Sequence, residues 1–306
     1  QEFMDKGTDF AFRFFDQVCS TEKEKPNVFV SPLSASLCLS MITNGATDNT
    51  LAEMQNVLGF PANTFSLDDL NNYNQKLTSA LLDLDNTTQL GIANSIWIEE
   101  GFKVYDSFVD VNKKMYDTQV QELDFTSPTA KDVINQWCAT QTNNCIKEVI
   151  QEIPADARMY LINALYFKGI WKSQFDKSAT GQDNFTNVDG SQQKVAMMNQ
   201  TATFSYTQTD DFSIAELPYG NEAFSMVILL PSGDKTLDES LPNLNYENWK
   251  QWSKNMVGKE LQIKLPRFKV EYDKELEEDM IAMGMKDAFD AYKAKFANMS
   301  GAELYI

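Results

Sequence analysis

The residue types that most often perform catalysis form an incomplete set in this chain. Its 306 residues include no histidine. A serine or cysteine nucleophile activated by histidine is therefore excluded, as is a zinc ion held by histidine. No glycine-rich phosphate loop is followed by lysine, and no cysteine cluster has the spacing of a metal site. We expect no catalytic residues, no metal and no cofactor, and hence no enzyme.

The four cysteines do not form a disulfide framework. Cys38 falls in an apolar helical pattern, where a thiol behaves as a small buried hydrophobe. Cys138 and Cys145 would lie about 10 Å apart if both were helical. That separation exceeds the limit of roughly 7 Å for a disulfide. The predicted helix ends near Asn143, however, so a bond between these two cysteines stays open as an alternative.

Acidic residues are numerous, but no pair of them stands out as a catalytic pair. The 44 Asp and Glu residues outnumber the 26 Lys and Arg residues, which gives a formal net charge of −18. This charge repels phosphates, so neither nucleic acid nor an anionic membrane is an expected partner. No apolar run approaches the roughly 20 residues that a membrane-spanning helix needs.

The first half of the chain is rich in helical patterns. Ser31 is a natural N-cap, and Pro32 suits the first position of the helix that follows. The segment from Thr50 to Glu53 has the pattern of a capping box. Apolar spacing predicts further helices over residues 10–18, 67–81, 107–117 and 130–143, and strands over 89–98 and 119–125.

Strands dominate the second half. Residues 161–168 are so apolar that we expect them in the middle of a sheet. Residues 212–231 form a hairpin that turns at 219–221. Residues 260–272 are extended, and Pro266 places them at a sheet edge or a bulge. A last helix follows at 276–285. Helices first and mainly antiparallel strands later indicate an α+β fold, in one domain over residues 1–306.

Seven segments, taken in order, resemble the serpin family. They begin near residue 9, reach residue 306 and keep spacings similar to those of the family. The most specific are NALYFKGIW and the pair ELPYG and FSMVILLP. The others are NVFVSPLSASLCLSMITNGA, ANSIWIEEGFKV, INQWCATQTN, VAMMNQTATFSY and LPRFKVEYDKELEEDMIAMGM. The resemblance implies a helical N-terminal half and three mainly antiparallel β-sheets.

The resemblance also implies a function. Serpins are mostly inhibitors of serine proteases, and some inhibit cysteine proteases. They are suicide substrates: the protease attacks an exposed reactive loop, which then inserts into the central sheet and carries the acylated protease with it. The expected partner is a target protease. The alternative is a non-inhibitory serpin that acts as a binding or carrier protein. The family implies an extracellular or cell-surface location, although intracellular branches are common.

The resemblance assigns roles to five residues. Ser31, Ser34 and Asn163 match the family's shutter, the polar region beneath the place where the central sheet opens. Trp171 and Arg267 match the breach, where loop insertion begins. Taken singly, these residues could cap a helix, satisfy local backbone groups or fill the core. Because they fall together in one architecture, we favour the family roles.

The family pattern continues beyond the final segment, SGAELYI. In serpins a central strand, a mobile hinge, the reactive-centre bond and two buried strands follow that point. We therefore expect a C-terminal companion segment of the same protein to complete the sheet. The glutamate that would pair with Arg267 belongs to that hinge.

Overall fold

The computed structural model describes residues 1–306 and contains nine α-helices and eight β-strands. The helices are α1 (Glu2–Thr21), α2 (Pro32–Thr43), α3 (Asp48–Leu58), α4 (Leu67–Asp83), α5 (Asp106–Tyr116), α6 (Ala130–Gln141), α7 (Leu237–Ser240), α8 (Tyr246–Lys254) and α9 (Glu277–Met283). The strands are β1 (Gln89–Glu99), β2 (Thr118–Leu123), β3 (Met159–Lys168), β4 (Gly181–Thr186), β5 (Gln192–Gln208), β6 (Phe212–Pro218), β7 (Ser225–Pro231) and β8 (Val257–Pro266). The α+β class is confirmed.

Most of the predicted helices form where their local signals place them. Helix α2 begins at Pro32, and the Ser31 side chain caps it. The capping box predicted at Thr50 is wrong, because α3 already begins at Asp48. The hydroxyl of Thr50 instead accepts a hydrogen bond from the Lys295 backbone at 3.0 Å. This hydroxyl of α3 therefore anchors a distant segment rather than the start of its own helix.

A three-stranded sheet carries β1 at its centre, in the order β2-β1-β3. Strand β2 runs parallel to β1, and β3 runs antiparallel to it. The prediction that β3 is a central strand is wrong within this chain, because β3 pairs only with β1. Its apolar sequence has another cause. Leu161 packs on the α2 side, whereas Tyr160 and Ile162 pack with the Trp97 cluster on the α6 side. Both faces of β3 are covered while one edge stays open.

The remaining strands form one antiparallel network around β5. This strand pairs with β4 through its first residues, with β8 through its middle and with β6 through its end. The strands of this chain form two sheets where the resemblance implies three, since the 17 residues of β5 join its pairings with β4, β6 and β8 in one sheet. The hairpin of β6 and β7 is confirmed. Pro266 ends β8, which pairs only with β5, so its predicted edge position is also confirmed.

The largest core cluster contains 19 buried residues and joins the N-terminal helices to β1 and the last segments of the chain. Phe10, Phe14 and Val18 of α1 are at most 1% exposed, as their spacing of four predicts. All four cysteines are free thiols, so the disulfide left open between Cys138 and Cys145 does not form. None of the helices combines the length and apolarity that crossing a bilayer would require.

Candidate functional site

The centre of the candidate site is a pair of asparagines on neighbouring strands. Asn94 of β1 lies opposite Asn163 of β3 in the strand register. The Asn163 amide Nδ2 donates to Asn94 Oδ1 at 2.8 Å, and Asn94 Nδ2 donates to the Tyr116 carbonyl at 2.7 Å. The buried Oδ1 atom of Asn163 has no hydrogen-bond partner. The pair thus holds one buried acceptor that can still receive a donor.

Helix α2 supports β3 from below with short polar side chains. The Ser34 hydroxyl donates to the carbonyl of Asn163 at 3.5 Å, and the Cys38 thiol donates to the carbonyl of Leu161 at 3.3 Å. Ser34 and Asn163 are therefore brought together, as their assignment requires. Ser31 is exposed, and its side chain accepts a hydrogen bond from the Ser34 backbone at 3.3 Å. Ser31 is therefore a helix cap that is linked to β3 through Ser34.

The open edge of β3 presents the backbone groups of every second residue. The Glu99 N–H donates to the Arg158 carbonyl at 3.0 Å, which fixes the side of β3 that faces β1. Because backbone groups alternate between the two sides of an antiparallel strand, the odd-numbered residues of β3 point away from β1. The carbonyls of Leu161 and Asn163 consequently lie on the open edge, where the two α2 side chains reach them.

A buried polar chain continues from this pair to α4. The Tyr116 hydroxyl donates to Asn71 Oδ1 at 2.7 Å and accepts from Asn74 Nδ2 at 3.3 Å. Asn71 Nδ2 in turn donates to Asn44 Oδ1 at 2.8 Å. Burial raises the pKa of Tyr116, so its hydroxyl stays protonated and remains a donor at neutral pH. These partners did not emerge from the sequence, although lone amides in apolar segments were a usable signal.

Trp171 lies three residues beyond the end of β3 and stacks on Tyr219. Their ring centroids are 4.3 Å apart with an angle of 16° between the planes. The two residues also form an isolated antiparallel bridge. Trp171 further contacts Phe175 edge to face at 6.1 Å. An aromatic stack thus joins the end of β3 to the turn between β6 and β7.

The same turn is fastened by a buried carboxylate. Asp85 accepts hydrogen bonds from the hydroxyls of Thr87 and Thr88 at 2.6 and 2.7 Å, and from the Asn221 backbone at 3.4 Å. The Thr87 hydroxyl, followed by the other donors, lowers the pKa of Asp85 to about 2. Gly220 follows the stacked Tyr219, and a Cβ added there would lie 2.4 Å from Asp85 Oδ2. This close approach requires glycine in the turn.

Arg267 follows β8 and is exposed. Its backbone N–H donates to the Ala196 carbonyl at 2.9 Å, and no carboxylate forms an ion pair with its guanidinium group. The side chain is therefore free to receive an acidic partner. No group of three or more acidic, cysteine or histidine residues is placed to hold a metal ion.

The comparisons with known proteins identify the family. A family model described as serpin (serine protease inhibitor) matches residues 5–306. The chain belongs to the serpin family. It is 36% identical to Serpin B6 of Macaca fascicularis over 92% of this chain and 76% of that protein. It is 33% identical to an uncharacterized serpin-like protein of Methanosarcina acetivorans over 97% of this chain and 70% of that protein.

Solved serpin structures agree with the fold. The thermophilic serpin tengpin in its latent state has a TM-score of 0.90 and 31% identity, over 100% of this chain and 82% of that one. Tengpin in its native state gives a TM-score of 0.87 and 30% identity, over 100% of this chain and 78% of that one. Ovalbumin from emu (Dromaius novaehollandiae) gives a TM-score of 0.90 and 25% identity, over 99% of this chain and 82% of that one.

Proposed function

We propose that this serpin inhibits serine proteases, or cysteine proteases as a second target class, by inserting a cleaved reactive loop beside β3. The protease would be trapped as the acyl-enzyme. The observation that carries the proposal is the set of exchangeable polar groups at β3. The chain supplies the receiving sheet, while the protease supplies the catalytic residues.

The polar groups at β3 support insertion on energetic grounds. Ser34 donates to the Asn163 carbonyl, and the buried Oδ1 atom of Asn163 has no hydrogen-bond partner. Polar groups that exchange one hydrogen-bond partner for another let a strand enter without leaving buried groups unpaired. We therefore assign Ser34 and Asn163 to the switch, with Ser31 as the cap that orients Ser34.

The two breach residues complete the proposal. Trp171 closes the end of β3 through its stack on Tyr219, so the first step of insertion would disturb that stack. The unpaired Arg267 would receive the hinge glutamate of the companion segment, whose first strand we propose lies next to β3 until the cleaved loop inserts between the two. An extracellular or cell-surface location belongs to the same proposal and would be checked by fractionating the source cells and their medium.

The decisive experiment incubates the full-length natural protein with a panel of active serine and cysteine proteases. An intact-mass spectrum taken first would show whether the sample carries a companion segment beyond these 34.7 kDa. The expected result is a protease complex that survives SDS and boiling, together with loss of protease activity. Cleavage by every protease without such a complex would overturn the inhibitor proposal.

A second measurement separates the inhibitor from a carrier protein. After cleavage of its loop, an inhibitory serpin gains a strand, so its thermal unfolding midpoint should rise strongly. An unchanged midpoint would favour the non-inhibitory alternative. That alternative is compatible with the fold, because cleaved human thyroxine-binding globulin matches with a TM-score of 0.91 at 24% identity.

A further inference from the structure

Three charged side chains form a buried cluster between the C-terminal end of α1 and helix α9. The ammonium group of Lys274 lies 3.0 Å from Glu22 Oε1 and 3.2 Å from Asp279 Oδ2. The side chains of Lys274 and Glu22 are 13% and 14% exposed, and that of Asp279 is completely buried. In each of the other ion pairs of the chain, the basic side chain is at least 39% exposed. This cluster is therefore the buried ionic contact of the protein.

Neutral side chains complete the contact. The Thr21 hydroxyl donates to Asp279 Oδ1 at 2.8 Å, and Gln17 Nε2 donates to the same oxygen at 3.5 Å. Lys274 also donates to the Thr21 hydroxyl oxygen at 2.9 Å. The last turn of α1 is thus tied to α9 through side chains. Because the charged groups are already buried, a further segment of the protein could pack over the cluster but would not replace these contacts.

The charges of the cluster do not cancel. Two carboxylates share one ammonium group, and no other basic side chain lies within ion-pair distance of Glu22 or Asp279. The atoms Glu22 Oε2 and Asp279 Oδ2 are buried and accept no hydrogen bond. A buried charge is costly unless it is paired. The contact between α1 and α9 therefore depends on Lys274 and on the charges of the two carboxylates that face it.

The ionisation of the cluster makes the contact sensitive to acid. The pKa of Glu22 is lowered, first by its hydrogen bond from Lys274. Desolvation acts to lower the pKa of Lys274, but Glu22 and Asp279 outweigh it, and the pKa is raised. Charged Glu22 therefore contributes stability above its ordinary pKa of 4.5, and this contribution is lost as the pH falls through the lowered value. Tyr272 and Lys25 also face Glu22, but neither carries a charge that acid would remove.

Helix α9 has few other contacts that hold it in place. It has only seven residues, and its N-cap, Leu276, makes no side-chain hydrogen bond. A helix of this length is not stable on its own. Its buried residues are Asp279, in the ionic cluster, and Met280, in the largest hydrophobic core cluster. Loss of the ionic contact would remove one of the two buried anchors of α9.

We propose that Glu22, Lys274 and Asp279 form an acid-released clamp, which ties α1 to α9 at neutral pH and opens when its carboxylates are protonated. Protonation leaves the ammonium group of Lys274 without an anionic partner. Helix α9 and the end of α1 then separate before the rest of the domain unfolds. The clamp requires neither a reactive loop nor a target protease, so its test is independent of the proposed function.

Hydrogen exchange of the full-length protein tests the clamp segment by segment. Protection factors, corrected for the intrinsic exchange rate at each pH, are followed from about pH 7 to about pH 3.5. In the parent protein, peptides from the end of α1 and from α9 should lose protection below about pH 4.5, while peptides from α2 and β3 keep theirs. Simultaneous loss of protection in all four elements would overturn the clamp, because the acid response would then be general unfolding.

Lys274→Met should reverse the response to acid. Two buried carboxylates then lack a partner, so we expect local opening of α9 to increase about a hundredfold or more at neutral pH. Acid should restore protection in this variant, because protonation removes the unpaired charges. Lys264→Met is the matched control, since Lys264 also lies 3.0 Å from a carboxylate, that of Asp183, but is 55% exposed. The control should leave the protection of α9 unchanged, and unchanged protection in Lys274→Met at neutral pH would overturn the proposal.

A triple variant keeps the test decisive if Lys274→Met does not fold. Glu22→Gln/Lys274→Met/Asp279→Asn removes all three charges and nearly keeps the side-chain volumes. Replacing a whole buried ionic cluster by uncharged groups is often tolerated. In this variant the protection of α9 should not change with pH until the whole domain unfolds. Loss of protection over the same pH range as in the parent protein would show that other groups cause the acid response, and would refute the clamp.

Discussion

The hydroxyl of Tyr116 bonds two asparagines of α4 in the buried polar chain. Tyr116 is 5% exposed, and its partners Asn71 and Asn74 are 1% and 3% exposed. Tyr116→Phe deletes the hydroxyl and leaves the ring in place. Asn71 Oδ1 would still accept from Asn44 Nδ2 at 3.2 Å, whereas Asn74 Nδ2 would lose its hydrogen bond to the hydroxyl.

The expected cost follows from that difference. A buried donor left without a partner costs about 1–3 kcal/mol, and almost no packing is lost because the ring remains. We therefore expect Tyr116→Phe to lower the free energy of unfolding by about 1–3 kcal/mol. Urea-unfolding midpoints, measured with an unchanged slope, give this value directly.

Two further variants make this prediction refutable. Tyr292 is 95% exposed, so Tyr292→Phe should change stability by less than about 0.5 kcal/mol. If the cost of Tyr116→Phe comes from stranding Asn74, the double variant with Asn74→Ala should be less destabilised than the sum of the single variants. An unchanged midpoint for Tyr116→Phe, or strict additivity in this cycle, would refute the reasoning.

Three other predictions concern the turn beside β3. The pKa of Asp85 is about 2 in the folded chain, against an ordinary value of 3.8. Its contribution to stability is therefore complete above about pH 4 and is lost as the pH falls towards 2. The difference in stability between the parent protein and Asp85→Asn, measured by thermal unfolding, should disappear over that range. Gly220→Ala should be more destabilising than Gly190→Ala. Both glycines have positive φ (40° and 78°), but only at Gly220 would an added Cβ meet neighbouring atoms. Similar unfolding midpoints for the two variants would contradict a steric requirement for glycine at 220. Trp171→Ala should lose about 0.5–1.5 kcal/mol of stacking on Tyr219 in addition to the buried area, and Trp171→Phe should recover part of that loss in the same thermal assay.

Local signals in the sequence were sufficient for elements whose stabilising contacts are local. Ser31 caps α2 as predicted, because an N-cap needs only the backbone N–H groups of the next turn. The place of β3 in its sheet was not predictable in this way, since its apolar side chains report the faces covered by α2 and α6 and not the strands that pair along its edges. Thr50 illustrates the same limit: its sequence pattern is that of a cap, but its actual partner is Lys295.

The residues of the candidate site also differ in whether the sequence alone could locate them. Ser34 and Asn163 were located by family resemblance, and they do meet. Asn94 and Cys38 were not assigned to the site, because their roles depend on the register between β1 and β3 and on the height of α2 below the sheet. A lone amide in each of two apolar strands was nevertheless a usable signal. Such residues are costly to bury singly, which favours pairing them with each other.

Helix α4 makes polar contacts with both regions that insertion would disturb. Through Asn74 it reaches the hydroxyl of Tyr116 and hence the asparagine pair of β1 and β3. Just beyond its C-terminal end, Asp85 receives the Asn221 N–H in the turn that carries the stack on Trp171. Hydrogen bonds of this kind weaken steeply with misalignment, so a shift of α4 along its axis would loosen both contacts together. The middle of β3 and the segment just beyond its C-terminal end are therefore connected through α4 as well as through the strand itself, and variants at Tyr116 and Asp85 should interact in a double-variant unfolding cycle although the residues do not touch.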